Sequence, residues 1–219
     1  MSPMFVLFAV AAAFAASATA CAASLAVQVV DTAGRPVANA VVSLTASAAS
    51  GGSGRAPAPV APAQQIIDQR DETFLPLVTL IRIGDQVVFR NSDITRHHVY
   101  SFSPIKQFQY VINVGDQSPP IGFDKAGVAA IGCNIHDHMV AYVYVADTPW
   151  HTLTGTDGRG TIADLPTGTY TASLWHPRLR PGSKAPTQSV EITAAPTELP
   201  FTVALLSEWN RRHDHGHAY

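Results

Sequence analysis

Apolar residues recur at every second position in many separate runs of this chain, too short for helices and bounded by Gly, Pro and Asp. Leu77, Thr79, Ile81 and Ile83 alternate in this way, Gly84-Asp85 breaks the run, and Val87-Val88-Phe89 resumes it, which reads as a hairpin. A repeat of two sends successive side chains to opposite faces of a strand. No stretch carries the repeat near 3.6 that lines one face of a helix. A chain so patterned must bury one face of several sheets, and 219 residues, 47% of them hydrophobic, can enclose a sizeable core. The expected fold is all-β, a sandwich or barrel of many short strands.

The same pattern divides the chain into segments. Residues 25–30 and 40–44 alternate on either side of Asp31-Thr32-Ala33-Gly34-Arg35-Pro36, giving strand, turn and strand. Residues 46–63 are rich in Ala, Ser, Gly and Pro without apolar periodicity and read as a flexible linker. Strands are expected at 98–102 and 140–145, and 121–123 and 128–132 flank a turn at 124–127 as a second hairpin. Further on, turns at 156–160 and 165–168 precede a strand at 170–175, with two more at 190–192 and 201–205. The tail, 207–219, is polar and carries His213, His215 and His217, which read as incidental.

An apolar run from Met4 to Ala16, followed by Ala18-Thr19-Ala20, reads as a signal peptide over 1–20, which implies export to the periplasm. Cys21 stands where a bacterial lipoprotein is acylated, but Ala18 replaces the Leu that a good lipobox prefers, which argues against an anchor; membrane contact is expected only if that thiol is lipidated. A formal net charge of −2 with 14% charged residues gives no electrostatic case for nucleic acid or an anionic membrane surface. The two cysteines are not expected to pair, because Cys133 has neighbours of metal-ligand type at tight spacing.

Those neighbours are Cys133-Asn134-Ile135-His136-Asp137-His138-Met139, which set a thiolate, an imidazole and a thioether three residues apart. A thiolate and two imidazoles in a trigonal plane, with a long thioether bond, make a copper site that passes electrons with little rearrangement. His97 is the candidate for the second imidazole. His138 opens a different set, Cys133, His97, His136 and His138, suited to zinc or a more tetragonal copper; its alternation with Met139 favours a solvent-facing or supporting role instead. His176, between Trp175 and Pro177, has no ligand partner in sequence and is expected to pack beside a core tryptophan.

These residues carry a family resemblance. Val87-Val88-Phe89-Arg90-Asn91-Ser92-Asp93-Ile94-Thr95-Arg96-His97-His98 resembles the first-ligand segment of cupredoxins, where a strand ends at Asn and the ligand lies six residues on. The segment from Gly127 to Met139 is similar to the strand and loop that supply the other three ligands, with the short Cys-x-x-His-x-x-Met spacing of amicyanin, although it lacks the aromatic residues usual before the cysteine in plastocyanin. The resemblance covers 66–148, and Cys-Asn-Ile-His-Asp is similar to periplasmic cupredoxin-like proteins labelled methylamine utilization proteins. It implies a Greek-key β-sandwich holding type 1 copper through His97, Cys133, His136 and an axial Met139, with Asn91 and His98 bracing the cysteine loop and His136 as electron exit. The flanks, 24–45 and 151–206, resemble the two halves of a carboxypeptidase regulatory-like β-sandwich, with 46–65 as linker and the cupredoxin inserted; in a simpler arrangement 25–44 extends the cupredoxin sheet.

The function so implied is one-electron transfer rather than catalysis, since the chain has one copper constellation and no Ser/His/Asp order. A transient redox partner protein and a monomeric carrier are expected. The competing reading is a non-redox metal-binding protein, a periplasmic copper carrier or chaperone or a zinc site. If 121–123 pairs with 128–132, Pro119 and Pro120 lie level with Cys133 and join Ile135 in an uncharged docking rim.

Overall fold

The computed structural model describes residues 23–47 and 61–207. The expected signal peptide, Cys21, most of the linker, and His213, His215 and His217 lie outside the described residues. Within them every regular element is a strand, and the all-β expectation holds. Strands β1 (Ala23–Asp31), β13 (Arg159–Leu165) and β16 (Thr197–Val203) form one sheet, and β2 (Val41–Ala46), β12 (His151–Leu153), β14 (Gly168–Trp175) and β15 (Thr187–Ile192) another. Between β2 and β12 the chain builds two further sheets. One runs in the order β5 (Val78–Arg82), β11 (Val140–Ala146), β10 (Gly127–Cys133), β7 (His97–Ser103) and β8 (Lys106–Ile112). The other runs β4 (Thr73–Leu75), β3 (Gln64–Arg70), β6 (Gln86–Asn91) and β9 (Ile121–Gly122).

Each pair of sheets encloses its own buried cluster. Alternate residues of β1, Leu25, Val27 and Val29, meet Leu44, Leu174 and Phe201 in the first. Phe74, Phe89, Ile131, Cys133, Met139 and Val143 belong to the second, so the motif cysteine and methionine sit in an apolar core rather than on the surface. Burial of each such side chain contributes roughly 1.5–3 kcal/mol relative to exposure.

The backbone ladders of β1 and β2 run to β12, β13, β14 and β16 and not to the strands between 64 and 146, which departs from the simpler arrangement in which they extend the inner sheet. The inner strands leave and rejoin the outer ones at one place. Leu44 N–H donates to Trp150 O at 2.9 Å, and the Thr148 hydroxyl donates to Leu44 O at 2.7 Å. Contact between the two halves includes an aromatic cluster, in which Trp175 of β14 packs against Tyr142 and Tyr144 of β11 with ring centroids 5.7 and 5.4 Å away, and a side-chain hydrogen bond between Tyr144 and Ser43 of β2.

Both expected hairpins are corrected. The runs on either side of Gly84-Asp85 go to opposite sheets, and the Asp85 carboxylate holds the crossing by accepting from Arg82 N–H and Ala63 N–H. Likewise β9 pairs with β6 and not with β10. Ser118 N–H donates to Phe89 O, and Gly84 and Phe123 are joined to the same strip through Phe123 O and Asp85 O. The segment 124–127 is therefore a passage between sheets. Pro119 and Pro120 then lie beside the middle of β6, not level with Cys133, and the geometric basis of the proline rim is lost. Four stretches of strand were not expected: β8, whose Phe108, Tyr110 and Ile112 turn inward, the start of β3, whose polar sequence resembles the linker before it, and β12 and β13, in a region that the sequence marks only by its turns.

Candidate metal centre

Strand β6 ends at Asn91 and β7 begins at His97, so the five residues between them form a tight loop. Asn91 is buried and bonds to both ends of that loop. Its Nδ2 donates to Thr95 O at 2.8 Å and Ile112 O at 3.0 Å, while its Oδ1 accepts from Asp93 N–H at 2.9 Å in an Asx turn. These bonds bring His97 inward with none of its side chain exposed. Cys133, at the end of β10, faces Val99 of β7. Beyond it Asn134 N–H donates to His98 O, and Met139 N–H donates to His136 O, both at 3.0 Å. The second bond folds the Cys-x-x-His-x-x-Met segment back so that His136 returns toward Cys133.

Three of the sequence-identified residues meet. Cys133 Sγ lies 3.8 Å from His97 Nδ1 and 3.9 Å from His136 Nδ1, and the two nitrogens are 3.2 Å apart. A triangle with these sides has a point about 2.1 Å from all three corners, and thiolate and imidazole donors keep roughly 2.0–2.3 Å from a first-row metal ion. Among the described residues no other group of three or more His, Cys, Asp or Glu donors is this close. Met139 is buried in the same cluster as Cys133, one strand start away. His138 stays outside the triangle, turned toward Glu72 with about a third of its side chain exposed.

The outer nitrogens explain why the inner ones converge. His97 Nε2 lies 3.2 Å from Asp93 Oδ2, and His136 Nε2 lies 3.5 Å from Glu72 Oε1. The Asp93 carboxylate, within hydrogen-bond distance of His97 Nε2, favours the ring proton there and leaves the Nδ1 lone pair directed inward, and the Glu72 carboxylate near His136 Nε2 favours the same tautomer by its charge. Two such lone pairs, 3.2 Å apart, can both be given to one cation between them. Burial pushes His97 below its ordinary pKa, against the pull of Asp93, which keeps the ring neutral and ready to ligate. Asp93 itself is held below the usual carboxylate range: burial opposes its charge, and the N–H groups of Glu72 and Ile94 and the His97 ring outweigh it.

Asp93 and Glu72 were not identified as site residues from sequence. Asp93 had a signal, a short polar residue four positions before His97 in an Asx-rich loop. Glu72 had none, because its place depends on β3 and β4. These pair from Asp68↔Leu75 to Arg70↔Thr73, and the hairpin is held to β6 by Asp68, which accepts from the Arg90 guanidinium and the Ser92 hydroxyl. The missing aromatic before Cys133 also has an explanation. Gly132 faces Tyr100 on β7, and a Cβ at 132 would stand 2.8 Å from the tyrosine ring, so the neighbouring strand supplies the aromatic cover.

No family model matches the chain, and no curated protein matches it. Solved structures are similar to part of it. A copper-containing nitrite reductase (NirK) from Thermus scotoductus SA-01 is 24% identical over 41% of this chain and 23% of its own, with a TM-score of 0.36. Amicyanin from Paracoccus versutus (Thiobacillus versutus) is 20% identical over 48% of this chain and 98% of its own, at 0.35. A purple cupredoxin from Nitrosopumilus maritimus is 27% identical over 38% of this chain and 99% of its own, at 0.33. The match thus spans under a quarter of the nitrite reductase. The architecture stands on the strand pairing given above.

Proposed function

We propose that the chain is a type 1 copper protein of cupredoxin kind that carries single electrons, with copper held by His97, Cys133, His136 and an axial Met139. The observation that carries this reading is the donor triangle, whose centre lies about 2.1 Å from one sulfur and two nitrogens at once. Copper bound there supplies a reversible one-electron couple. The remaining features come from the chain. Cys133 and Met139 lie among apolar side chains that exclude water from the sulfur donors. The bonds of Asn91 hold the His97 loop in place before any ion binds, so little has to move between redox states. His136 keeps 17% of its side chain exposed where His97 keeps none, which makes its ring the route to a partner. Zinc is disfavoured because His138 does not complete a fourth close donor. In this reading residues 66–148 are the metal-binding unit, inserted into an outer sandwich of 24–45 and 151–206, and the protein works in the periplasm with a transient redox partner.

The test is an optical and EPR spectrum of the chain loaded with Cu(II), repeated on Cys133→Ser and Met139→Leu. The expected result is an intense visible thiolate charge-transfer band that Cys133→Ser abolishes and Met139→Leu shifts. A colourless loaded protein overturns the reading and moves the assignment to zinc or a non-redox metal carrier.

A further inference from the structure

Both imidazoles of the triangle have an acid at the back. His97 Nε2 is 3.2 Å from Asp93, and His136 Nε2 is 3.5 Å from Glu72. The two acids are joined, for Glu72 N–H donates to Asp93 Oδ2 at 2.7 Å, the same oxygen that faces His97. Glu72 also reaches His138 Nε2 at 3.5 Å through its other oxygen, so one carboxylate spans both histidines of the ligand loop. Its backbone supports a purpose at this spot. Asp71 and Glu72 have φ of 50° and 49°, the pair of left-handed residues that a two-residue β3–β4 turn requires. Asn or Gly occupies such positions at little cost, whereas a glutamate is disfavoured there. The turn is thus built with a residue that the backbone resists and whose carboxylate lands on the site.

We propose that Asp93 and Glu72 are a linked pair of anionic positioning residues, one behind each ligand imidazole, that fix both rings as Nε2–H tautomers and favour the oxidised metal ion over the reduced one. This rests on the copper reading above. The physical reason is charge: a carboxylate hydrogen-bonded to the far side of an imidazole makes Nδ1 a stronger donor, and its negative charge stabilises Cu(II) more than Cu(I). Asp93 is nearly buried and acts with little screening. Glu72 keeps 39% of its side chain exposed and acts more weakly.

Two measurements test the pair. Two-bond 1H–15N correlations of the metal-free full chain are expected to give Nε2–H for both His97 and His136; an Nδ1–H tautomer in either ring overturns the tautomer assignment, and this readout needs no copper. In the copper-loaded chain, Asp93→Asn is expected to lower the ratio of Cu(II) to Cu(I) affinity about tenfold, a rise in midpoint potential of about 59 mV. Glu72→Gln, on a half-exposed turn, is expected to lower it about threefold with the chain fully folded. Potentials unchanged in Glu72→Gln, or a loss of thermal stability in both variants without a change in that ratio, overturn the electrostatic role. A loaded wild-type chain without a thiolate band would instead sink the copper reading while the tautomer result stood.

Discussion

Asn91 does more for the site than any residue that could touch the metal. It holds three backbone groups of two segments, two through Nδ2 and one through Oδ1. Replacing it with Ala leaves the Thr95 and Ile112 carbonyls and the Asp93 N–H without that partner, in a setting where the asparagine itself is 1% exposed. At about 1 kcal/mol net for each buried hydrogen bond, Asn91→Ala is expected to destabilise the metal-free chain by about 3 kcal/mol. Urea unfolding at pH 7 checks this, and a loss below about 1 kcal/mol would mean that the loop is held elsewhere. The contrast with Glu72 explains what sequence can disclose at this scale. Cys133, His136 and Met139 fall within seven residues, and His97 follows an Asn at a fixed interval, so local spacing shows them as candidates. Glu72 reaches the same place because the β3–β4 turn is brought to the loop after β6, where its N–H bonds to Asp93, 21 positions away, and no local pattern encodes that.

At the scale of elements, β14 is followed at once by a buried histidine. His176 Nε2–H donates to Ala38 O at 3.2 Å, and its Nδ1 accepts from Arg178 N–H at 3.1 Å, an arrangement that only the neutral ring can make. Burial lowers its pKa from 6.5 to about 4, outweighing the Ala38 carbonyl that favours the proton. The unfolded chain therefore takes up a proton near pH 6.5 and the folded one only near 4. Stability from this residue is complete above about pH 6.5 and is lost as the pH falls toward 4, by on the order of 3 kcal/mol across the window. His97 contributes in the same direction, so the check is a difference: the stability of His176→Gln is expected to fall less steeply between pH 6.5 and 4 than that of the parent, and parallel curves would refute it. The alternation that made the strands legible did not fix their sheets. Val87 and Phe89 point inward as expected, yet the period of two is the same whether a strand pairs with the run before it or with one on the facing sheet. Contacts such as Ser118 N–H to Phe89 O decide, and they are invisible to periodicity.

For the whole molecule, the proposed insertion makes a direct prediction. The chain leaves the outer sandwich after Ala46 and returns by Thr148, whose hydroxyl bonds to Leu44 O, so a short Gly-Ser bridge spans the gap. Deleting 48–147 in favour of such a bridge is expected to leave a cooperatively folding outer sandwich, followed by far-ultraviolet circular dichroism on heating. A non-cooperative product would show that Tyr142 and Tyr144, which pack on Trp175, are needed for the outer fold. The parallel pairing of β1 with β16, seven residues from Leu25↔Thr197 to Asp31↔Val203, adds a mechanical consequence. A pull applied at Ala23 and Val203 loads this pair in shear, with all of its ladder bonds resisting together. The tension is taken up there before it reaches Ala46 or Thr148, and the metal-binding triangle hangs outside the line of force, insulated from strain on the strands that carry it.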